Sequence, residues 1–211
     1  MRFLSHAETV RVLQRACARA GIRIQYSQGF NPHPKLSLPL PRSVGVESDD
    51  ELLCLRVLVS RFSILDSRRV SSIQYRVSRG LSEHLPEGIE LLSVTIAQAN
   101  MSPRPFAATY VLPVRQEYLD ESLNAGIEHL LASESIKVQR TLDARHSRFK
   151  NIDVRGFIKS IVLKNASVVV ECRITPAGAI RVEEILELLG LDTEKLAAPI
   201  RRADIRYTIY E

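Results

Sequence analysis

The first apolar residues of the chain recur with helical spacing: Val10, Leu13, Cys17 and Ala20 fall at i, i+3, i+7 and i+10. Ser5 and Glu8 stand at capping-box spacing, in which each residue satisfies the other's backbone N–H, and Gly21 supplies a stop. A helix is predicted between them. At about 3.6 residues per turn, Arg11, Arg15 and Arg19 share the side opposite the apolar stripe. This helix should have a core face and an arginine face.

The stretch that follows, Tyr26-Ser27-Gln28-Gly29-Phe30-Asn31-Pro32-His33-Pro34-Lys35, has neither helical nor strand period. Pro32, Pro34, Pro39 and Pro41 remove backbone donors and fix φ, so residues 26–46 read as a stiff, ordered loop. Residues 51–59 pattern as a strand, and residues 67–84 as a helix with Val70, Ile73, Val77 and Leu81 inward. Residues 89–97 pattern as a further strand, and Pro103 and Pro105 mark a hinge.

The second half repeats the order: strand 106–114, helix 117–132, strands 136–141 and 155–164 around a basic loop, strand 167–175, helix 181–189 and strand 203–210. The prediction is an α+β protein of two tandem ferredoxin-like (βαββαβ) halves. The first spans residues 1–99 with the 26–35 loop, and the second spans 106–211 with a basic loop at 140–155. The repeat is one of element order only.

Composition narrows the class. With 211 residues, 45% hydrophobic and 25% charged, the chain can bury a core without staples. Cys17, Cys54 and Cys172 lie far apart inside apolar segments, as reduced core thiols of a cytosolic protein would. Uncharged apolar runs fall well short of the ~20 residues of a membrane span, and no signal-peptide pattern opens the chain. A cytoplasmic location without membrane contact is expected.

Charge is uneven within a net +5. Residues 1–42 carry seven Lys or Arg (Arg2, Arg11, Arg15, Arg19, Arg23, Lys35 and Arg42) against Glu8 alone. Residues 137–164 carry eight, Lys137, Arg140, Arg145, Arg148, Lys150, Arg155, Lys159 and Lys164, against Asp143 and Asp153. Two basic blocks point either to a polyanionic partner or to a solvated basic face.

Catalytic signatures are missing. His6, His33, His84, His129 and His146 lack zinc spacing, and no P-loop, dinucleotide fingerprint or G-x-S-x-G occurs, so neither metal nor cofactor is expected. His6 and His33 remain a candidate acid–base pair for metal-independent RNA cleavage. Tyr26, Phe30 and His33, interleaved with Gln28, Asn31 and Lys35, either stack on unpaired bases or pin the loop to the core.

Phe3-Leu4-Ser5-His6, Arg11, Arg15-Ala16, Gly21, the stretch from Tyr26 to Lys35, Ser37 and Gly45-Val46-Glu47-Ser48 resemble the radical-SAM-linked family of uncharacterised bacterial proteins. These stand alone or are joined behind a radical SAM enzyme. The likeness is strongest over residues 1–60; beyond them it rests on Asp153-Val154-Arg155 and Arg201-Arg202. Ala7-Glu8 replaces the family's Leu-Asp, lengthening the carboxylate arm. The family's strand before this motif has little room after Met1, so a truncated first strand or an upstream start is expected.

The resemblance implies a radical SAM partner but no activity, and no iron–sulfur cluster, because the cysteine trio is missing. The tandem layout is also similar to that of RAMP-type RNA-processing proteins, including CRISPR endoribonucleases. The expected function is therefore a non-catalytic RNA-binding or substrate-presenting accessory of a radical SAM enzyme. Its contact residues are Arg11, Arg15, Arg19, Tyr26, Gln28, Phe30, Asn31, His33, Lys35, Arg145, Arg148 and Lys150. A ribonuclease using His6 and His33, or a pure protein-docking module, is the alternative.

Overall fold

In the computed structural model, which describes residues 2–58, 67–97, 101–143 and 148–210, Ser5 caps helix α1 (His6–Arg19). The Ser5 N–H donates to Glu8 Oε2 at 2.8 Å, and the Glu8 N–H donates to Ser5 Oγ at 3.3 Å. At the other end Gly21 adopts φ +66°, so the Gly21 N–H reaches the Ala18 carbonyl and the Ile22 N–H reaches that of Cys17. This is the double bond of a Schellman stop. The chain divides into two compact units: Met1–Val44, Leu52–Pro103 and Ile209–Glu211 form the first, and Gly45–Glu51 with Arg104–Thr208 form the second.

In the first unit, Leu13 and Cys17 of the predicted stripe are buried and Val10 and Ala20 half-buried, and Ala16, outside the stripe, is buried too. Ala16, Cys17 and Leu81 of α2 (Ser67–His84) form its core, with Val77, Ile22, Ile24, Leu36, Leu55 and Leu91 packed around them. Gly80 lets α2 approach the end of α1: a Cβ there would lie 3.2 Å from that of Ala20. The strands are short. β1 (Leu36–Ser37) pairs antiparallel with β3 (Cys54–Leu55), and single bridges join Ile24 to Val57 and Tyr26 to Pro34.

The ferredoxin-like sheet expected of the first half is therefore not found among the described residues. Of the 51–59 strand only β3 and the Val57 bridge are regular, and residue 59 lies outside the described residues. Residues 89–97 have no ladder; Leu91 packs on the core while Leu92 and Ile96 are exposed, and the Gln74 amide donates to the Val94 carbonyl. Alternation carries no information about whether a partner strand exists.

The second unit is built on a five-stranded sheet in the order β2-β9-β4-β8-β7. Its strands are β2 (Glu47–Ser48), β4 (Ser102–Pro113), β7 (Ile158–Lys164), β8 (Ser167–Arg173) and β9 (Arg201–Tyr210). The helices are α3 (Glu121–Ala132), capped by Asp120, and α4 (Val182–Leu188). Both cover one sheet face, where Leu123, Ile127, Leu130, Val182 and Ile185 meet Leu112, Val168, Val170 and Ile158 in a single core. Along the chain the order is strand, helix, two strands, helix, strand, with a separate hairpin of β5 (Lys137–Asp143) and β6 (Arg148–Asp153) inserted after α3.

That hairpin corrects the expected basic loop at 140–155. Its ladder runs from Lys137 opposite Asp153 to Asp143 opposite Arg148, with a register shift after Thr141, and residues 155–157 form a 3₁₀ turn before β7. Val138 and Ile152 face the core, but Val138 stands between Lys137 and Gln139 and Ile152 between Asn151 and Asp153, so their apolar signal is weak. Pro103 and Pro105, read as hinge markers, lie in β4. Its ladder with β8 starts only at Ala107, so their missing N–H groups remove no bond from it. β7 and β8 join through Asn165 and Ala166, both at positive φ, the two-residue turn whose twist suits a hairpin.

Candidate nucleic-acid interface

Arg11, Arg15 and Arg19 are exposed along α1, one above another at four-residue spacing, and Arg23 continues the series beyond Gly21. Glu8 is the acidic residue of the helix's first turn, and its carboxylate is occupied by the cap; the Ser5 hydroxyl, then the Ser5 N–H, hold it below the usual carboxylate range. Among the described residues, no carboxylate lies within ion-pairing distance of Arg11, Arg15, Arg19, Arg23 or Lys35. In low salt, three guanidinium groups one turn apart repel each other unless an anion lies between them.

The 26–35 loop is closed at its base by backbone bonds between three segments. Gln25 N donates to Arg56 O at 2.7 Å, Arg56 N to Lys35 O at 2.9 Å, and Lys35 N to Gln25 O at 2.7 Å. One step further out, the Ser27 N–H donates to the His33 carbonyl at 2.8 Å and the His33 N–H to Ser27 Oγ at 2.9 Å. The tip then turns at Gly29, whose φ of +125° is a conformation side chains rarely allow. Phe30 at the apex is fully exposed, and Tyr26, Gln28, Asn31 and His33 are exposed beside it. The alternative in which Tyr26 and Phe30 pin the loop to the core is not what the fold shows.

His6 heads α1, half-buried, and His33 sits in the loop; neither imidazole has a hydrogen-bond partner among the described residues. No group of three His, Cys, Asp or Glu among the described residues is placed as a metal site. Ser27, the clamp of the loop, and Arg56, which joins its base, were missed in the sequence. Ser27 acts through a partner six residues away and Arg56 through one more than twenty away, so neither leaves a local pattern.

The second basic block behaves differently. Arg140 makes a two-pronged bond to Glu184, Nε to Oε1 at 2.5 Å and Nη2 to Oε2 at 2.8 Å, and also reaches the Ala179 carbonyl. Arg155 donates to the carbonyls of Leu131, Ser133 and Ile158, closing the C-terminal end of α3. Lys159 pairs with Glu171 at 2.9 Å. Lys150 is exposed opposite Arg140 in the ladder, while Arg145 and the side chain of Arg148 lie outside the described residues.

Two of the motifs that carried the resemblance are thereby explained as scaffolding. Asp153 Oδ1 accepts the backbone N–H groups of Ile136 and Arg155, Val154 is wholly buried, and Arg155 binds α3 as described. Arg201 pairs with Asp49 at 3.3 Å, and Arg202, fully buried, is bound by Glu51. Among the described residues, no helix is long and apolar enough to cross a membrane.

No curated protein and no solved structure matches the chain. One family model does, over residues 1–185, and on that match the chain belongs to the family described as an uncharacterized protein conserved in bacteria (DUF2344).

Proposed function

We propose that this chain is a non-catalytic RNA-binding or substrate-presenting accessory protein of a radical SAM enzyme, with the first unit as its contact surface. The observation that carries the RNA reading is the row of Arg11, Arg15 and Arg19, exposed and with no carboxylate at ion-pairing distance among the described residues, Glu8 acting on Arg11 only as a nearby charge. Guanidinium groups in such a row are suited to successive phosphates of a strand. The radical SAM partner rests on the resemblance over residues 1–60. In the second unit the sheet order β9-β4-β8-β7 is compatible with one ferredoxin-like half of the RAMP-type layout, and it says nothing of chemistry.

RNA affinity measured from low to physiological salt tests the reading. Replacing all three arginines by glutamine should leave folding intact and lower the magnitude of the log affinity against log salt slope by about 2, through lost counterion release. Negligible RNA affinity in the unmodified protein, with the same variant losing a radical SAM enzyme in a pull-down, would make the chain a docking module instead.

A further inference from the structure

We propose that the tip of the 26–35 loop is a preformed stacking platform, on which Phe30 takes the face of an unpaired base, so that the RNA bound is single-stranded or looped rather than duplex. This rests on the RNA reading above and names the class of RNA.

Three observations carry it. First, Phe30 is held out, not loose: the Gln25, Lys35 and Arg56 junction closes the base, the Ser27 and His33 bonds clamp the neck, and Pro32 and Pro34 stiffen the return strand. The backbone that carries the ring has thereby lost much of the freedom that binding would otherwise remove, although the ring itself turns freely in solvent. Second, Gln28 and Asn31, exposed on either side of Phe30 in the chain, bring amide groups able both to donate to and to accept from a base edge. Third, the same unit carries the exposed row of Arg11, Arg15 and Arg19, suited to phosphates of a strand, and a ring alone would not select a polyanion.

A duplex keeps both faces of its bases stacked and offers Phe30 nothing. A protein pocket could take the ring, but the exposed arginine row favours a partner with phosphates.

The test uses the full chain and two probes, a short single-stranded RNA containing 2-aminopurine and a blunt RNA duplex of the same sequence. Stacking on Phe30 should quench the 2-aminopurine signal. Phe30→Ala, at a fully exposed tip, should fold normally, abolish the quenching and weaken single-strand binding about tenfold or more, with duplex binding unchanged. Phe30→Trp should retain both. Gly29→Val, which disturbs the turn while keeping the ring, should weaken single-strand binding and reduce the quenching.

Unchanged single-strand affinity in Phe30→Ala, or an equal loss for strand and duplex, would overturn the proposal. If the triple glutamine variant still loses salt dependence in that case, the RNA reading stands and only the stacking role fails. If the unmodified protein binds neither probe, both fail together.

Discussion

The guanidinium of Arg202 is fully buried, and its Nε lies 3.1 Å from Oε1 of Glu51, a residue 151 positions earlier in the chain. The carboxylate belongs to the acidic run from Glu47 to Glu51, whose β2 pairs in parallel with β9. Removing Glu51 takes the counter-charge from a buried guanidinium that keeps its hydrogen bond with Tyr110, and a buried charge that loses its counter-ion costs more than the pair itself contributes. Glu51 keeps partial access to water, which moderates the penalty. Glu51→Ala should lower the urea-unfolding free energy by about 2 kcal/mol. A loss below about 0.5 kcal/mol, the range of ordinary surface substitutions, would show that Arg202 does not depend on it.

Glu184, unlike Glu51, is a buried carboxylate, and its burial has a consequence that can be measured. Burial alone would raise its pKa, but the Arg140 hydrogen bonds, the Arg181 N–H and both arginine charges outweigh it and hold the carboxyl below its ordinary range. A carboxyl depressed in the folded state stabilises above its unfolded pKa, about 4.3, and that contribution is lost as pH falls through the folded value. Unfolding free energy should therefore be level from pH 7 to about 5 and fall below about 4. Glu184→Gln should lower the plateau and flatten the acid limb. An acid limb identical in the variant would assign the loss to other carboxylates such as Asp153, also held low by the N–H groups of Ile136 and Arg155.

The three cysteines are free and differ in access. Cys17 and Cys172 are buried and Cys54 half-buried, and burial pushes the Cys172 thiol up to about 12. Thiolate is the reactive form, so native protein at pH 8 should react with a thiol reagent at Cys54 at most, and at all three after unfolding in denaturant. Rapid native modification of Cys172 would mean that the sheet and helices around it open readily.

What could be read along the chain was whatever is stated within one element. The Ser5–Glu8 box, the Gly21 stop and the division of α1 into an apolar and an arginine face are local, and the fold reproduces them. Partners distant in sequence were not legible. Arg140 and Arg155 looked like solvent-facing cations because Glu184 and the carbonyls of Leu131 and Ser133 are far away in sequence. Of the β5–β6 hairpin the first strand was legible, predicted at 136–141, while β6 was read as basic loop because its inward Ile152 stands among polar and charged residues. Of the candidate site, the arginine row and the aromatic tip were visible as residue types. The clamp between Ser27 and His33 that presents Phe30 was not.

The insertion of β2 into the second unit has a consequence for biosynthesis. Ser48 leaves the ribosome 154 residues before Arg202, whose carbonyl accepts its hydroxyl. The edge of the five-stranded sheet therefore waits, unpaired, through most of translation, while residues Leu52–Pro103 are made and belong to the other unit. Domains usually mature in the order in which they emerge, but here the sheet is completed only when β9 arrives and the loop between them closes. Neither unit can be obtained by cutting the gene once, and a nascent chain stalled before residue 201 would expose an acidic edge with no arginines to meet it.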